Sequence, residues 1–529
     1  MYKIRFISII IAAILVGCFD AGDTKNINRS AAEVGSGGAK TSRNKISYNQ
    51  TLVSKKDGSR ISITIHEPNS VTIGRSYPLV LHSHGYGGRR QIDRPTDGLI
   101  ADLLENGYGV ISIDERGHGA LTDGSGGAAR VLDPEFEGRD LLQILDWSEE
   151  SLDWLQFRNG NPVIGSIGGS YGGGYQNLIY RIDPKKRLDA ITPHITWYDL
   201  RYSLMPGNVF KTFWTTLVGG VGNSPGNVVD PVVNLSILNG IATNNFSDDF
   251  KSLLYNNSIA SNCEGQRPQD PDLTPIAALF IQSPIDQLFN LNEAYKSSEC
   301  LKKLGGDVRL FVVPNGHVGG PHSRCGSMEM DEAILLFFNE HLKKVKNAAD
   351  TVPKNCLHLN NVDAESTDSI SVDELTVGGM SLDEVKISGF AVSTLSSSAR
   401  NIPLLTLSGS KGLRNNGDIL AGIPTIELTL SKSGALTEIT DPIVFIGLSR
   451  SVDGGKSWTL IHDQVMPFRG YGTFSAELVG VLERFEQNDM LGLAIYSGRI
   501  DQFGTSGSRP IALVDISAKV QVPFIGAKN

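Results

Sequence analysis

Val163-Ile164-Gly165-Ser166-Ile167-Gly168-Gly169-Ser170-Tyr171-Gly172 is an apolar strand candidate that runs directly into a G-x-S-x-G turn. This is the sequence form of a nucleophile elbow, in which a serine sits at the apex of a sharp strand-to-helix bend with its hydroxyl exposed. The flanking glycines occupy positions where side chains would clash. The motif alone has moderate specificity, because the chain holds 58 glycines and a glycine-rich turn with a chance serine is the bland alternative. After Ser170 the run continues into Tyr175, Gln176, Leu178 and Ile179, the start of a helix whose N-terminal dipole favours negative charge beside the serine.

A nucleophilic serine also needs a base, an orienting carboxylate and donors for an oxyanion, each presented at a strand end. Leu79-Val80-Leu81 leads into His84-Gly85-Tyr86-Gly87-Gly88, a loop suited to supplying the oxyanion donor. Ala277 to Ile281 leads into Gln282-Ser283-Pro284-Ile285-Asp286, and Val308 to Val313 leads into Pro314-Asn315-Gly316-His317. The resulting order, Ser170, Asp286, His317, is that of an α/β-hydrolase. We therefore expect Ser170 as nucleophile, His317 as base and Asp286 as orienting acid. The oxyanion falls to the N–H of Tyr171 and to Tyr86, through its N–H or its hydroxyl.

Rival residues are weaker on position. His322 lies further past the strand end than His317, and His341 follows helical spacing after Phe337, as a surface or packing residue would. Asp307 precedes a strand, the wrong end of the sheet for catalysis. Asp114 and Arg116 read as loop pins, and His84 either orients the oxyanion loop or is an ordinary hydrogen-bonded histidine.

From about Ser47 to Lys346 strand and helix candidates alternate, the pattern of a mainly parallel sheet covered by helices. Residues 198–272 break that rhythm with aromatics (Tyr202, Phe210, Phe213, Trp214) and loop-rich runs, and read as a cap inserted between the elbow and the acid. Trp197 and Tyr198, nearest the strand end, are the pocket candidates. A polar stretch, 347–369, is expected as a linker. Residues 370–529 carry short alternating runs, ending in Val514, Ile516, Ala518, Val520 and Val522 on one face and Asp515, Ser517, Lys519 and Gln521 on the other. Period two with one wet face predicts a β-sandwich of jelly-roll type, with Asp453-Gly454-Gly455-Lys456 as a hairpin turn.

The first 17 residues read as a signal peptide: Lys3 and Arg5, then Phe6 to Val16, too short to span a bilayer. Leu15-Val16-Gly17-Cys18 resembles a lipobox, so Cys18 is the expected lipid-bearing residue, with 18–46 as a flexible tether. Phe19 after the cysteine favours the outer membrane of a bacterial envelope over the inner. The other cysteines, Cys263, Cys300, Cys325 and Cys356, allow three disulfide pairings in an exported protein, and their spacing suggests no metal site. A net charge of −9 without a basic cluster excludes nucleic acid as a natural partner.

The segments DERGHGA (114–120), DPEFEGRDLLQILDW (133–147), GGSYGGGYQ (168–176) and IQSPIDQLFNLNEAY (281–295), followed by the strand into His317 and the terminal β-sandwich, resemble the X-prolyl dipeptidyl peptidase and cocaine esterase family. The resemblance implies an α/β-hydrolase core with an inserted cap, then a C-terminal jelly-roll-type β-sandwich. It also implies hydrolysis of esters or amides through an acyl-enzyme, with Ser170, Asp286 and His317 matching the family's nucleophile, acid and base. Several members take an oxyanion donor from a tyrosine hydroxyl, whereas the loop here is HGYGG. No acidic pair maps onto the amine-binding site of a true dipeptidyl peptidase. The expected activity is thus an exported esterase or amidase acting on a small ester, amide or peptide, with no metal or organic cofactor. The alternatives are an X-prolyl dipeptidyl-peptidase-like enzyme, or a surface ligand-binding protein on a non-catalytic hydrolase scaffold.

Overall fold

The apolar runs on either side of the elbow are neighbouring strands of one sheet. The computed structural model describes residues 42–43, 46–314, 316–317, 324–359, 368–394, 396–408, 419–434, 441–508 and 512–525. The signal peptide, Cys18, most of the tether and His322 lie outside the described residues.

The sheet has ten strands: β1 (Ser47–Val53), β2 (Arg60–His66), β3 (Leu79–Ser83), β4 (Gly109–Ile113), β5 (Ile164–Gly169), β6 (Leu188–His194), β7 (Ala277–Gln282), β8 (Val308–Val312), β9 (Asn355–His358) and β10 (Ser369–Val372). Their order is β10-β9-β8-β7-β6-β5-β3-β4-β2-β1. The run from β4 to β9 is parallel, and β1, β2 and β10 pair antiparallel at the margins. Strands β3, β4, β7 and β8 are buried along their whole length, which is why they read as continuous apolar runs rather than alternating ones.

Helices cover both faces. Helix α1 (Gly98–Glu105) packs Leu99 and Leu103 on one face, where Phe337 and Phe338 also contribute to the core. On the other face lie α2 (Glu137–Ser151), with Leu141, Ile144 and Leu145, and α3 (Tyr171–Ile182), with Leu178 and Ile179. Each fully buried Leu, Ile or Phe contributes about 1.5–3 kcal/mol, so the elbow between β5 and α3 rests on a rigid base. Every residue of α3 is buried.

The cap comprises α4 (Leu200–Leu204), α5 (Thr212–Gly222), α6 (Pro231–Thr243), α7 (Asp248–Asn256) and α8 (Ala260–Cys263). It is tied back to the core helix α9 (Leu291–Lys303) by the disulfide Cys263–Cys300. The second disulfide, Cys325–Cys356, joins the stretch before α10 (Met330–His341) to β9. Of the three pairings open from sequence, this is the one formed.

The stretch expected as a linker, 347–369, instead supplies strand β9 to the main sheet. Asn355, Cys356, Leu357 and His358 are all buried there; the polar residues around them concealed a four-residue strand too short to show a period.

Beyond β10 the described strands form two five-stranded sheets and a three-stranded one. Ala512–Val522 pairs antiparallel with Val385–Val392 and with Thr425–Lys432, while Gln487–Tyr496 pairs antiparallel with Ala399–Ser408 and with Ile443–Ser451. Val514, Ile516, Ala518, Val520 and Val522 point into a core shared with Leu491, Leu493 and Ile495 of the other sheet. The facing residues Lys519 and Gln521 are exposed, as a sandwich requires. At the predicted hairpin the Asp453 carboxylate accepts from the N–H groups of Lys456 and Ser457, closing the turn.

Candidate active site

Ser170 stands between the end of β5 and the start of α3 with φ 56° and ψ −118°, a left-handed conformation that a side-chain-bearing residue adopts only under constraint. Such backbone costs about 1–3 kcal/mol and is held here by packing. Two glycines make it possible. A Cβ on Gly172 would overlap the Ser83 carbonyl at the end of β3, and one on Gly168 would overlap the Gly172 carbonyl. The Ser170 N–H donates to the His194 carbonyl at the end of β6, and Thr196 Oγ1 donates to the Ser170 carbonyl.

The hydroxyl this bend presents lies 3.1 Å from His317 Nε2. His317 Nδ1 in turn lies 2.9 Å from Asp286 Oδ2. Asp286 is fully buried, and its Oδ1 accepts from the N–H groups of Leu288 (2.8 Å) and Phe289 (3.0 Å). The strand-end loops of β5, β7 and β8 thus bring together the three residues singled out by chain order.

The HGYGG loop faces the same point: an added Cβ on Gly85 would lie 3.9 Å from the Ser170 Cβ. Tyr86 packs its ring against His118 and Tyr171, with centroids 5.0 and 5.1 Å away, and burial pushes its phenol well above the usual range. The Tyr171 hydroxyl is occupied elsewhere, accepting from the Leu132 N–H and reaching Glu137. His84 is hydrogen-bonded at both nitrogens, to the Gly85 carbonyl and from the Glu115 N–H, and burial lowers its pKa. It is a structural clamp on the loop.

Residues 57–224 match the X-Pro dipeptidyl-peptidase family (S15). The stretch that carries the elbow is thus similar to the S15 family's domain. This agrees with the resemblance carried by the motifs. Two mycobacterial relatives named as serine esterases, from Mycobacterium bovis and Mycobacterium tuberculosis, are each 25% identical over 189 residues. That match spans 32% of this chain and 28% of theirs. Solved structures extend the likeness of fold to nearly the whole chain. A CocE/NonD family hydrolase from Staphylococcus aureus superposes with a TM-score of 0.62 at 14% identity, covering 91% of this chain and 94% of that one. An α-amino acid ester hydrolase gives a TM-score of 0.61 at 13% identity, covering 95% of this chain and 100% of that one.

Around Ser170 the remaining expectations sort as follows. Trp197 is 3% exposed, wedged against Gly174 of α3, Tyr171 and Phe289, and packs behind the site. Tyr198 turns its hydroxyl towards Glu264 at the rim of the cap. Asp307 is bound by His341, Arg309 and Lys354, which together hold its carboxyl far below the usual range. Asp114 pairs with Arg90, and Arg116 with Asp57 and Asp140, as loop pins.

Two aromatics the motifs did not single out flank the imidazole. Phe289 lies 5.1 Å and Trp214 5.9 Å from His317 between ring centroids, both edge-on. Phe289 follows the acid by three residues, within IQSPIDQLF; Trp214 is one of several cap aromatics that the sequence alone does not rank. Cap and core also meet at Glu293 near the start of α9, which accepts from the N–H groups of Tyr198 and Asp199 and from Ser203 Oγ. Burial raises its carboxyl to about 7. Among the described residues no group of three His, Cys, Asp or Glu is arranged to hold a metal ion, and no helix is long and apolar enough to cross a membrane.

Proposed function

We propose that this chain is a serine hydrolase of the bacterial envelope that cleaves ester or amide bonds through an acyl-enzyme on Ser170. The observation that carries the reading is the continuous hydrogen-bonded line from Ser170 Oγ through His317 to Asp286 Oδ2, at 3.1 and 2.9 Å. In that line His317 Nε2 takes the hydroxyl proton as Ser170 attacks the carbonyl carbon. Asp286 holds Nδ1–H and steadies the imidazolium that forms. The Tyr171 N–H and Tyr86 receive the oxyanion. His317 then protonates the leaving alcohol or amine, and water, activated by the same imidazole, releases the acid. The chemistry needs no cofactor.

Ester or simple amide substrates fit better than free N-terminal dipeptides. A dipeptidyl peptidase needs a carboxylate facing the substrate amine, and Glu293, at the seam of cap and core, already uses both oxygens on Tyr198, Asp199 and Ser203. The family match itself favours the peptidase reading, so both are tested together. Purified mature protein is assayed on short-chain p-nitrophenyl esters and on Xaa-Pro p-nitroanilides, with Ser170→Ala alongside. Ester turnover lost in the variant supports the esterase; serine-dependent anilide turnover supports the dipeptidyl peptidase. Hydrolysis that survives Ser170→Ala removes the elbow assignment, whereas no turnover of any substrate by the wild type leaves the ligand-binding scaffold.

The envelope location rests on the lipobox-like sequence ending in Cys18. Cys18→Ser should move the protein from the membrane fraction to the soluble one, and unchanged fractionation would count against lipidation.

A further inference from the structure

The loop that carries Asp286 is held by side chains from the two other parts of the molecule. From the β-sandwich, Gln464 Nε2 donates to the carbonyls of Pro284 (3.0 Å) and Asp286 (2.8 Å). From the cap, Lys211 Nζ donates to the carbonyls of Gln287 (2.7 Å) and Leu288 (3.3 Å). Both side chains are buried, Gln464 at 5% and Lys211 at 4% exposure. Four loop carbonyls therefore find their partners outside the loop, where buried carbonyls must find them somewhere. Gln287 adds a further tie to the sandwich, donating to Asp463 Oδ2 at 2.6 Å.

Lys211 is unusual chemically. Among the described residues no carboxylate lies within ion-pair distance of its ammonium, and burial lowers its pKa to about 8, opposed by the fields of Asp286 and Glu293. An unpaired buried ammonium is a costly way to satisfy two carbonyls, which a neutral donor would serve at lower cost. What a neutral donor lacks is a positive field on Asp286. Lys211 is also the residue that precedes α5, three positions before Trp214, whose indole stands edge-on to His317.

We propose that Lys211 and Gln464 are positioning residues for the reaction: they clamp the Asp286 loop from the cap and from the β-sandwich, so that the Asp286–His317 pair is aligned only when all three parts are docked. The inference rests on the serine-hydrolase reading above. Lys211 acts in two ways, through its hydrogen bonds and through a positive charge whose field reaches Asp286. Gln464 acts through hydrogen bonds alone.

The test compares Lys211→Met, Lys211→Arg and Gln464→Met with the wild-type full chain on a p-nitrophenyl ester, the rates normalised to acylatable serine by active-site titration. Misaligning an acid–base pair by a fraction of an ångström lowers turnover by about 10- to 100-fold. We expect kcat to fall by that amount in both methionine variants with KM within about twofold, the mark of an interaction felt in the transition state. We also expect the acid limb of the pH–rate profile to move to higher pH in Lys211→Met but not in Gln464→Met, because only the first removes a cation whose field reaches Asp286, the partner of the imidazole. Lys211→Arg should recover part of the rate and return the limb. A purely structural role would lower the fraction of titratable serine and the melting temperature while leaving kcat per titrated site and the pH profile unchanged; that result would overturn the proposal. If Lys211→Met yields no folded protein, the kcat of Gln464→Met decides by the same criterion. Absence of serine-dependent turnover in the wild type would instead refute the serine-hydrolase reading, and is recognised by the Ser170→Ala control.

Discussion

The indole of Trp214 stands edge-on to the imidazole of His317, with ring centroids 5.9 Å apart and planes inclined at 78°. One ring belongs to the cap and the other to the loop after β8, so the contact is where the cap touches the base itself.

Because Trp214 screens the base from water on one side, Trp214→Ala should lower kcat/KM. An edge-to-face pair is worth about 0.5–1.5 kcal/mol, or about two- to tenfold in rate. The loss should grow with the size of the acyl or leaving group if the indole also touches substrate. Equal kcat/KM for wild type and variant across a series of p-nitrophenyl esters would contradict this role.

Gly222, the last residue of α5, lies against Tyr86: a Cβ there would overlap the tyrosine ring. Gly222→Ala should therefore displace Tyr86 and cut kcat by up to about 100-fold, the scale of a lost oxyanion donor. Tyr86→Phe separates the two ways the residue can act. An equal loss in Tyr86→Phe means the hydroxyl is the donor; full activity in Tyr86→Phe with loss in Gly222→Ala means the backbone N–H is.

Stability should peak near pH 6.5. Burial raises the carboxyls of Glu115 and Glu137 to about 8 and that of Glu293 to about 7, from an ordinary value of 4.5. They stay protonated in the folded chain while the unfolded chain ionises, so their contribution is full below pH 4.5 and is lost as pH rises towards 8. Burial lowers His82 and His118 to about 3 and His194 and His462 to about 4, so these favour the fold above pH 6.5 and cease to as pH falls towards 4. Urea midpoints measured from pH 5 to 9 should trace this dome, and Glu115→Gln should flatten its alkaline side. An alkaline side as steep in the variant as in the wild type would show that Glu115 is not held protonated.

Reduction should act in two steps. The Cys325–Cys356 pair is almost fully buried, whereas Cys263 and Cys300 are partly exposed. The cap bridge should therefore open first under mild thiol. Each ring, spanning 37 and 31 residues of separation, should contribute up to about 3–4 kcal/mol through the unfolded chain. Mass-resolved alkylation against melting temperature checks both order and size; simultaneous opening would contradict the burial argument.

Much of the site was legible because its chemistry is local: an elbow needs glycines at fixed offsets, and acid and base each follow a strand. The continuous apolar strands and the period-two run from Val514 to Val522 declared their layers for the same reason. What stayed hidden was long-range. Nothing in Lys211 or Gln464 marks them, since their partners are backbone carbonyls more than 70 positions away. Trp197 sat beside a strand end yet became packing, because Gly174 leaves a hole in α3 that an indole fills. Strand β9 was too short to show a period, and its pairing with β8 supplies what its sequence does not.

Asp286 lies inside the covalent ring closed by Cys263 and Cys300, and that ring also contains the exposed stretch Glu264-Gly265-Gln266. A protease that cuts there would leave one molecule, its two pieces still joined through sulfur on either side of the acid. A chain nicked at that exposed cap loop would still keep Ser170, Asp286 and His317 on a single covalent body.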